Sequence, residues 1–89
     1  MRPVKVYFLP IFVRQFEKLE QSLQEEVLEK IDLFKDEKNH KHLRIHKLHG
    51  RLRNRHSFSV NYKTRIVFLY IRKKEVALLA IGDHAVYDK

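Results

Sequence analysis

The spacing of apolar residues changes once along this chain, and that change limits the class of fold open to it. Up to residue 34 the apolar positions recur at helical intervals. Phe12, Phe16 and Leu19 fall at i, i+4 and i+7, and Leu23, Val27, Ile31 and Phe34 continue on one face while Glu25, Glu26, Glu29 and Lys30 fall on the other. From residue 56 the interval is two: His56, Phe58, Val60 and Tyr62 alternate with Ser57, Ser59, Asn61 and Lys63, as in a strand with one buried face. Beyond Arg65 the run Ile66-Val67-Phe68-Leu69-Tyr70-Ile71 is apolar on both faces, and Val76-Ala77-Leu78-Leu79-Ala80-Ile81 matches it after a turn at Arg72-Lys73-Lys74. Both runs read as central strands.

The remaining elements follow from local chemistry. Val4-Lys5-Val6-Tyr7-Phe8-Leu9 is rich in β-branched and aromatic residues and predicts a first strand, which Pro10 ends while serving as an early helical residue. Ser22-Leu23-Gln24-Glu25 has the form of a capping box and predicts the start of the second helix, after a short connection at Glu20-Gln21. The stretch from Asp36 to Arg55 is charged, and its apolar residues are too few for a buried element, so it reads as irregular. Gly82 ends the last strand. The expectation is a single α+β domain over 1–89: an N-terminal strand, an antiparallel helical hairpin, then a three-stranded antiparallel meander. The helices pack on one face of the sheet, and the other face is free and positively charged.

Composition narrows the function. A chain of 89 residues buries only about 60 to 65 per cent of its unfolded surface, but ten aromatic residues supply one compact core. Cysteine is absent, which excludes disulfides and thiolate metal sites. No apolar run reaches the ~18 residues of a membrane span, and Met1-Arg2-Pro3-Val4-Lys5 lacks the apolar stretch of a secretory signal. A cytoplasmic protein is expected. Histidine pairs at His40/His42 and His46/His49 have spacings that can share an ion, but without cysteine and amid dense positive charge no metal and no cofactor are expected.

The net charge of +8 is unevenly placed. Residues 1–40 hold seven Lys/Arg and eight Asp/Glu; residues 41–89 hold twelve and three, and five of the six histidines lie between His40 and His56. A concentrated positive field attracts polyanions, of which nucleic acid is one and an acidic protein another. The run Lys47, Arg51, Arg53 and Arg55 suits a phosphate backbone, and is otherwise a solvated charged loop. Lys63 suits either the same contact or a soluble hairpin turn.

Leu48-His49-Gly50, then Tyr62-Lys63-Thr64-Arg65-Ile66-Val67-Phe68, then Ile81-Gly82-Asp83-His84 and Tyr87 together resemble the RelE/ParE superfamily of toxins from toxin–antitoxin systems. Within it the sequence is most similar to the RelE-like and YafQ-like ribonucleases. The resemblance covers nearly the whole chain and implies a prokaryotic toxin that cuts messenger RNA on the ribosome and is held inactive by a cognate antitoxin protein. It places the catalytic histidines of the YafQ-like members on His46 and His84, the phosphate-binding arginine on Arg65, and a base-stacking aromatic on Tyr87. The sequence departs from both patterns elsewhere. The strand lysines of RelE fall on Ser57 and Ser59, and the YafQ-like strand histidine and aspartate fall on Ser59 and Lys63. ParE-like members share the fold but inhibit DNA gyrase by binding and need no proton-transfer groups. A toxin-like fold with no activity, kept as a partner for an acidic protein, is a third reading.

Metal-free RNA cleavage uses the substrate's 2′-hydroxyl as nucleophile on the adjacent phosphate. Histidine, with an ordinary pKa of about 6.5, suits the proton transfers, and arginine suits the phosphate through its planar fork of donors. Each candidate also has a plainer role. His84 can pair with Asp83, Arg65 with a helix carboxylate such as Glu29 or Asp32, and Tyr87 can pack on the sheet edge.

Overall fold

The computed structural model describes residues 3–50 and 54–83. In chain order the elements are β1 (Lys5–Phe8), α1 (Pro10–Glu17), α2 (Gln21–Phe34), a 3-10 helix (Glu37–Leu43), β2 (His46–Lys47), β3 (His56–Ser59), β4 (Arg65–Arg72) and β5 (Glu75–Gly82). The strands form one sheet in the order β1-β5-β4-β3-β2. β2 to β5 are antiparallel neighbours, and β1 lies parallel to β5 with Lys5 opposite Glu75 and Phe8 opposite Leu78. This is the expected α+β meander under a helical hairpin, with one strand more than the sequence reading allowed.

That strand lies in the stretch read as irregular. Leu43 and Leu48 are both buried, so the few apolar residues there do anchor structure. The 3-10 helix opens with the Asp36 carboxylate accepting from the Lys38 amide and closes at Arg44, which has a left-handed backbone (φ 55°). The chain then runs antiparallel to β3, His46 opposite Ser57 and Lys47 opposite His56. The Leu48 amide donates to the Arg55 carbonyl at 2.9 Å, extending the ladder by one bond. Gly50 follows with φ +68° and open space where a Cβ would sit, so backbone conformation rather than crowding calls for glycine here.

α1 begins with Pro10 in the first helical turn, as expected. α2 does not begin with the Ser22 capping box. Its N-cap is Glu20, and Ser22, already helical, donates its hydroxyl to the Glu20 carboxylate at 3.1 Å. Gln24 Nε2 donates to the carbonyls of Phe16 (3.0 Å) and Leu19 (3.1 Å), at and just beyond the end of α1. The Phe16 carbonyl also accepts from the Leu19 amide at 3.0 Å, and Gln24 joins the end of α1 to the first turn of α2.

The core lies between the helices and the sheet. Phe12, Val27, Ile31 and Phe34 meet Phe58, Val60, Ile66, Phe68, Val76, Leu78 and Ile81. Phe34 is its centre: its ring lies flat on Phe58 (4.5 Å) and on His40 (4.7 Å) and meets the edge of Phe68 (4.9 Å). Leu78 and Ile81, three residues apart, both reach this core because the pairing slips between Val67 and Phe68, leaving Leu79 as an extra residue on β5. The Ile81 amide there donates to Gln15 Oε1 of α1 at 2.8 Å.

Three strand expectations need correction. β3 ends at Ser59, so Tyr62 is no strand residue and is 89 % exposed on the following turn. β4 is central, but Tyr70 and Ile71 are exposed because β3 is short and its ladder stops at His56 opposite Phe68. Nor is the face away from the helices simply free. Ser57 (1 % exposed), Val67 (3 %) and Ala77 (6 %) are buried on it, since their strand neighbours Phe58, Ile66 and Val76 point to the core.

Candidate functional site

Of the described candidate residues, the sheet face opposite the helices carries His46 and Arg65. Paired residues in a ladder share a face and next neighbours alternate. His46, Ser57, Val67 and Ala80 therefore form one row across four strands, and Ser59, Arg65 and Gly82 form the next. With strands ~4.8 Å apart and residues ~3.4 Å along each, the Cα atoms of His46 and Arg65 stand about 12 Å apart. Ser57 and Ser59 lie between them on that face, Ser59 half-buried and Ser57 almost fully buried.

Arg65 owes its position to the β3–β4 turn. Asn61 Oδ1 accepts from the Lys63 amide (2.9 Å) and the Thr64 amide (2.8 Å). Asn61 Nδ2 donates to the Glu26 carboxylate of α2 at 3.0 Å. The Val60 amide donates to the Thr64 carbonyl at 2.9 Å. Within this bonded turn the Asn61 carbonyl accepts from Arg65 Nη1 at 2.6 Å, with the Thr64 carbonyl further off at 3.3 Å. The alternative pairing with Glu29 or Asp32 is not made. The guanidinium is oriented by neutral carbonyls, and among the described residues no carboxylate forms an ion pair with it. Among the described residues its charge is therefore not neutralised by a salt bridge.

The histidines separate into two groups. His40 is structural: its ring stacks on Phe34 and its Nε2 donates to the Phe34 carbonyl at 2.7 Å. His56 points to the helix side, against Phe68 (5.6 Å) and the edge of Tyr70 (5.1 Å), and its Nδ1 is buried with no hydrogen-bond partner. Burial, and then the charge of Lys47, hold its pKa below the ordinary 6.5, so the ring favours the neutral form. His42, His46 and His49 are exposed, and of these His46 lies in the row beside Arg65's. Periodicity grouped His56 with Phe58 and so identified its face, but the orphaned nitrogen depends on neighbours no local pattern reveals.

Of the basic residues, Lys47 shares its face with His56 rather than with His46, because the two-residue strand turns consecutive side chains to opposite sides. Arg55 is half-buried beside the β2–β3 ladder. Lys63 is exposed on the turn, not on a strand. His84, Tyr87, Arg51 and Arg53 lie outside the described residues. Gly82 is paired with Arg65, and the described chain ends one residue later, at Asp83. Among the described residues no three His, Asp or Glu side chains gather as a metal site, and no helix is long and apolar enough to cross a membrane.

No protein-family model matches the sequence, and no curated protein matches it. Solved structures do. The RelBE2 toxin–antitoxin complex of Mycobacterium tuberculosis superposes with a TM-score of 0.74 at 19% identity, over 92% of this chain and 99% of that one. The archaeal RelE–RelB complex of Pyrococcus horikoshii gives 0.71 at 16% identity, over 91% and 94%, and YafQ of E. coli gives 0.69 at 9% identity, over 96% and 98%. At these identities the likeness is one of fold. The strand, helical hairpin and antiparallel meander assembled here are the fold of the RelE-like toxins.

Proposed function

We propose that this chain is the toxin of a type II toxin–antitoxin pair and acts in the cytoplasm as an endonuclease on messenger RNA held in the ribosome. The observation that carries the reading is Arg65, whose guanidinium is bonded to neutral carbonyls, on the same sheet face as His46 with Ser57 and Ser59 between them. His84 is the other proton-transfer group, two residues after the Gly82 that pairs with Arg65. The fold shared with RelE and YafQ agrees with this reading.

In the reaction the 2′-oxygen of a ribose attacks the adjacent phosphorus, and the bond from phosphorus to the 5′-oxygen of the next nucleotide breaks. One imidazole takes the 2′-hydroxyl proton, the other gives a proton to the leaving 5′-oxygen, and a 2′,3′-cyclic phosphate and a 5′-hydroxyl result. Arg65 stabilises the extra charge on the phosphoryl oxygens. Acid–base assistance contributes about 10² to 10⁴ in rate. The remainder comes from charge stabilisation and from positioning, which the ribosome supplies. Tyr87 stacks on a base, and Arg51, Arg53, Arg55 and Lys63 hold the backbone, while Lys47 lies on the opposite face. An acidic or amphipathic antitoxin segment silences the toxin by covering this face.

A translation extract given wild-type protein should lose its mRNA, while Arg65→Ala and His84→Ala should cut at least about 100-fold more slowly. Cleavage at the wild-type rate by both variants would defeat the assignment. A second reading is favoured by one observation: Ser57 and Ser59 occupy strand positions where a nuclease of this fold carries proton-transfer or basic groups. On that reading the protein binds DNA gyrase. Brief induction separates the two, through early loss of mRNA or early change in plasmid supercoiling.

A further inference from the structure

The division of charge along the sequence hides a second positive site. At the end of the sheet remote from Arg65, the β4–β5 turn, the start of β1 and the end of α2 enclose a cleft of about 520 Å³ lined by Lys5, Lys35, Lys73 and Lys74 with one acid, Glu75. Two of these lysines come from the N-terminal forty residues, whose formal charge is close to balanced. They reach Lys73 and Lys74 because the Val4 amide donates to the Lys35 carbonyl (2.7 Å) and the Lys5 amide to the Lys74 carbonyl (2.8 Å). Three separate segments are thus tied together by backbone bonds, with an ammonium group on each.

The charge is poorly compensated. Lys74 is paired with Glu37 at 2.7 Å, and Glu75 is held by Arg72 (3.7 Å) and the Tyr7 hydroxyl (3.4 Å). Lys5 lies over the Tyr7 ring, 5.4 Å from its centroid. Among the described residues, Lys35 and Lys73 make no side-chain hydrogen bond or ion pair. Both are exposed. From Arg65 to Arg72, the eight residues of β4 extend about 24 Å. Ionic screening acts over about 8 Å at physiological salt, so the two sites bind anions independently.

We propose that this cleft is a phosphate-binding site for RNA backbone, distant from the scissile linkage, with Lys5, Lys35 and Lys73 as its ligands. The inference rests on the reading of the protein as RNA-directed and adds a second, non-catalytic contact to it. Lysine ammonium groups on flexible stems suit backbone phosphates, which need charge but no fixed angle. The site therefore supplies affinity and orientation without base preference.

The test uses the whole protein and a fluorescein-labelled single-stranded RNA with every 2′-hydroxyl methylated, so that binding is read without cleavage. The salt dependence of the dissociation constant is compared for wild type, Lys35→Gln/Lys73→Gln, and a charge-matched control, Arg14→Gln/Lys18→Gln, both exposed, on α1 and at its C-cap. Losing two phosphate contacts on a single strand lowers the slope of log K against log salt by about 1.4. That loss is expected for the cleft variant, with less than about 0.5 for the control. Equal changes in both double variants overturn the proposal and leave the catalytic reading untouched. So does a cleft variant that keeps its RNA slope but loses affinity for a polyglutamate peptide, which would make the cleft a docking site for an acidic protein. A wild-type protein whose RNA binding ignores salt overturns both this proposal and the RNA-directed reading.

Discussion

Replacing Asn61 by alanine should weaken the fold and the candidate site together, because one side chain holds the turn that orients Arg65. The substitution removes two acceptor bonds, to the amides of Lys63 and Thr64, and one donor bond to Glu26. The Lys63 amide is exposed and regains water, so its loss costs little. Thr64 is buried, and an amide left unsatisfied there costs about 1–3 kcal/mol. Adding a few tenths for the exposed bonds, we expect about 2 kcal/mol in all. For a domain of this size that lowers Tm by about 8 to 16 °C. Urea unfolding should show a lower midpoint at unchanged slope, the mark of a stability change alone. RNA cleavage by the fraction that stays folded should fall by about 10- to 100-fold, as for a catalytic group displaced by an ångström. Asn61→Asp keeps both acceptor bonds but sets a carboxylate against Glu26, so it should lose less stability than alanine and largely retain activity. A midpoint for Asn61→Ala within about 0.5 kcal/mol of wild type would show that the turn does not depend on this side chain. Loss of activity in Asn61→Asp equal to that in Asn61→Ala would show that Arg65 does not depend on the turn.

Other expectations follow from single contacts. Phe34→Ala removes a fully buried ring with three stacked or edge-on partners and should cost about 3–5 kcal/mol, enough to lose cooperative thermal unfolding by circular dichroism. A sharp transition within a few degrees of wild type would contradict the placement of the core. His56 has its pKa held below 6.5 by burial first and Lys47 second. Its stabilising contribution is therefore complete above pH 6.5 and is lost as pH falls below that value, because the unfolded chain takes up the proton first. His56→Phe should flatten the decline in urea midpoint between about pH 6.5 and pH 5, and an unaltered decline would refute the assignment. Gly50→Ala should cost about 1–2 kcal/mol through backbone strain alone, since its Cβ would meet nothing. Gly50→Asn should cost less, and equal costs for the two would count against a left-handed backbone there.

Local pattern determined the elements, and tertiary structure determined what they do together. The helical recurrence of Val27, Ile31 and Phe34 and the apolar runs on either side of Lys73 were legible because each depends on a period within one segment. So was Pro10 as a helix start, which follows from its fixed φ. The Ser22–Glu25 motif does not form a capping box because α2 already begins at Gln21, with Ser22 inside it and bonded to Glu20, which the four-residue motif does not reveal. β2 was missed because two residues carry no period; the strand exists only where β3 offers it hydrogen bonds.

The candidate site divides in the same way. Residue type marked Arg65 and His46 as suited to phosphate and proton, but only sheet register puts them on one face and Lys47 on the other. Among the described residues, the fold of the Asn61 turn gives Arg65 neutral carbonyls rather than a carboxylate as partners. The distal lysines make the point most clearly. Charge counted along the sequence split the chain into a neutral half and a basic half, yet Lys5 and Lys35 join Lys73 once β1 lies beside β5. Coulomb forces depend on distance in space, and separation along the chain does not report it.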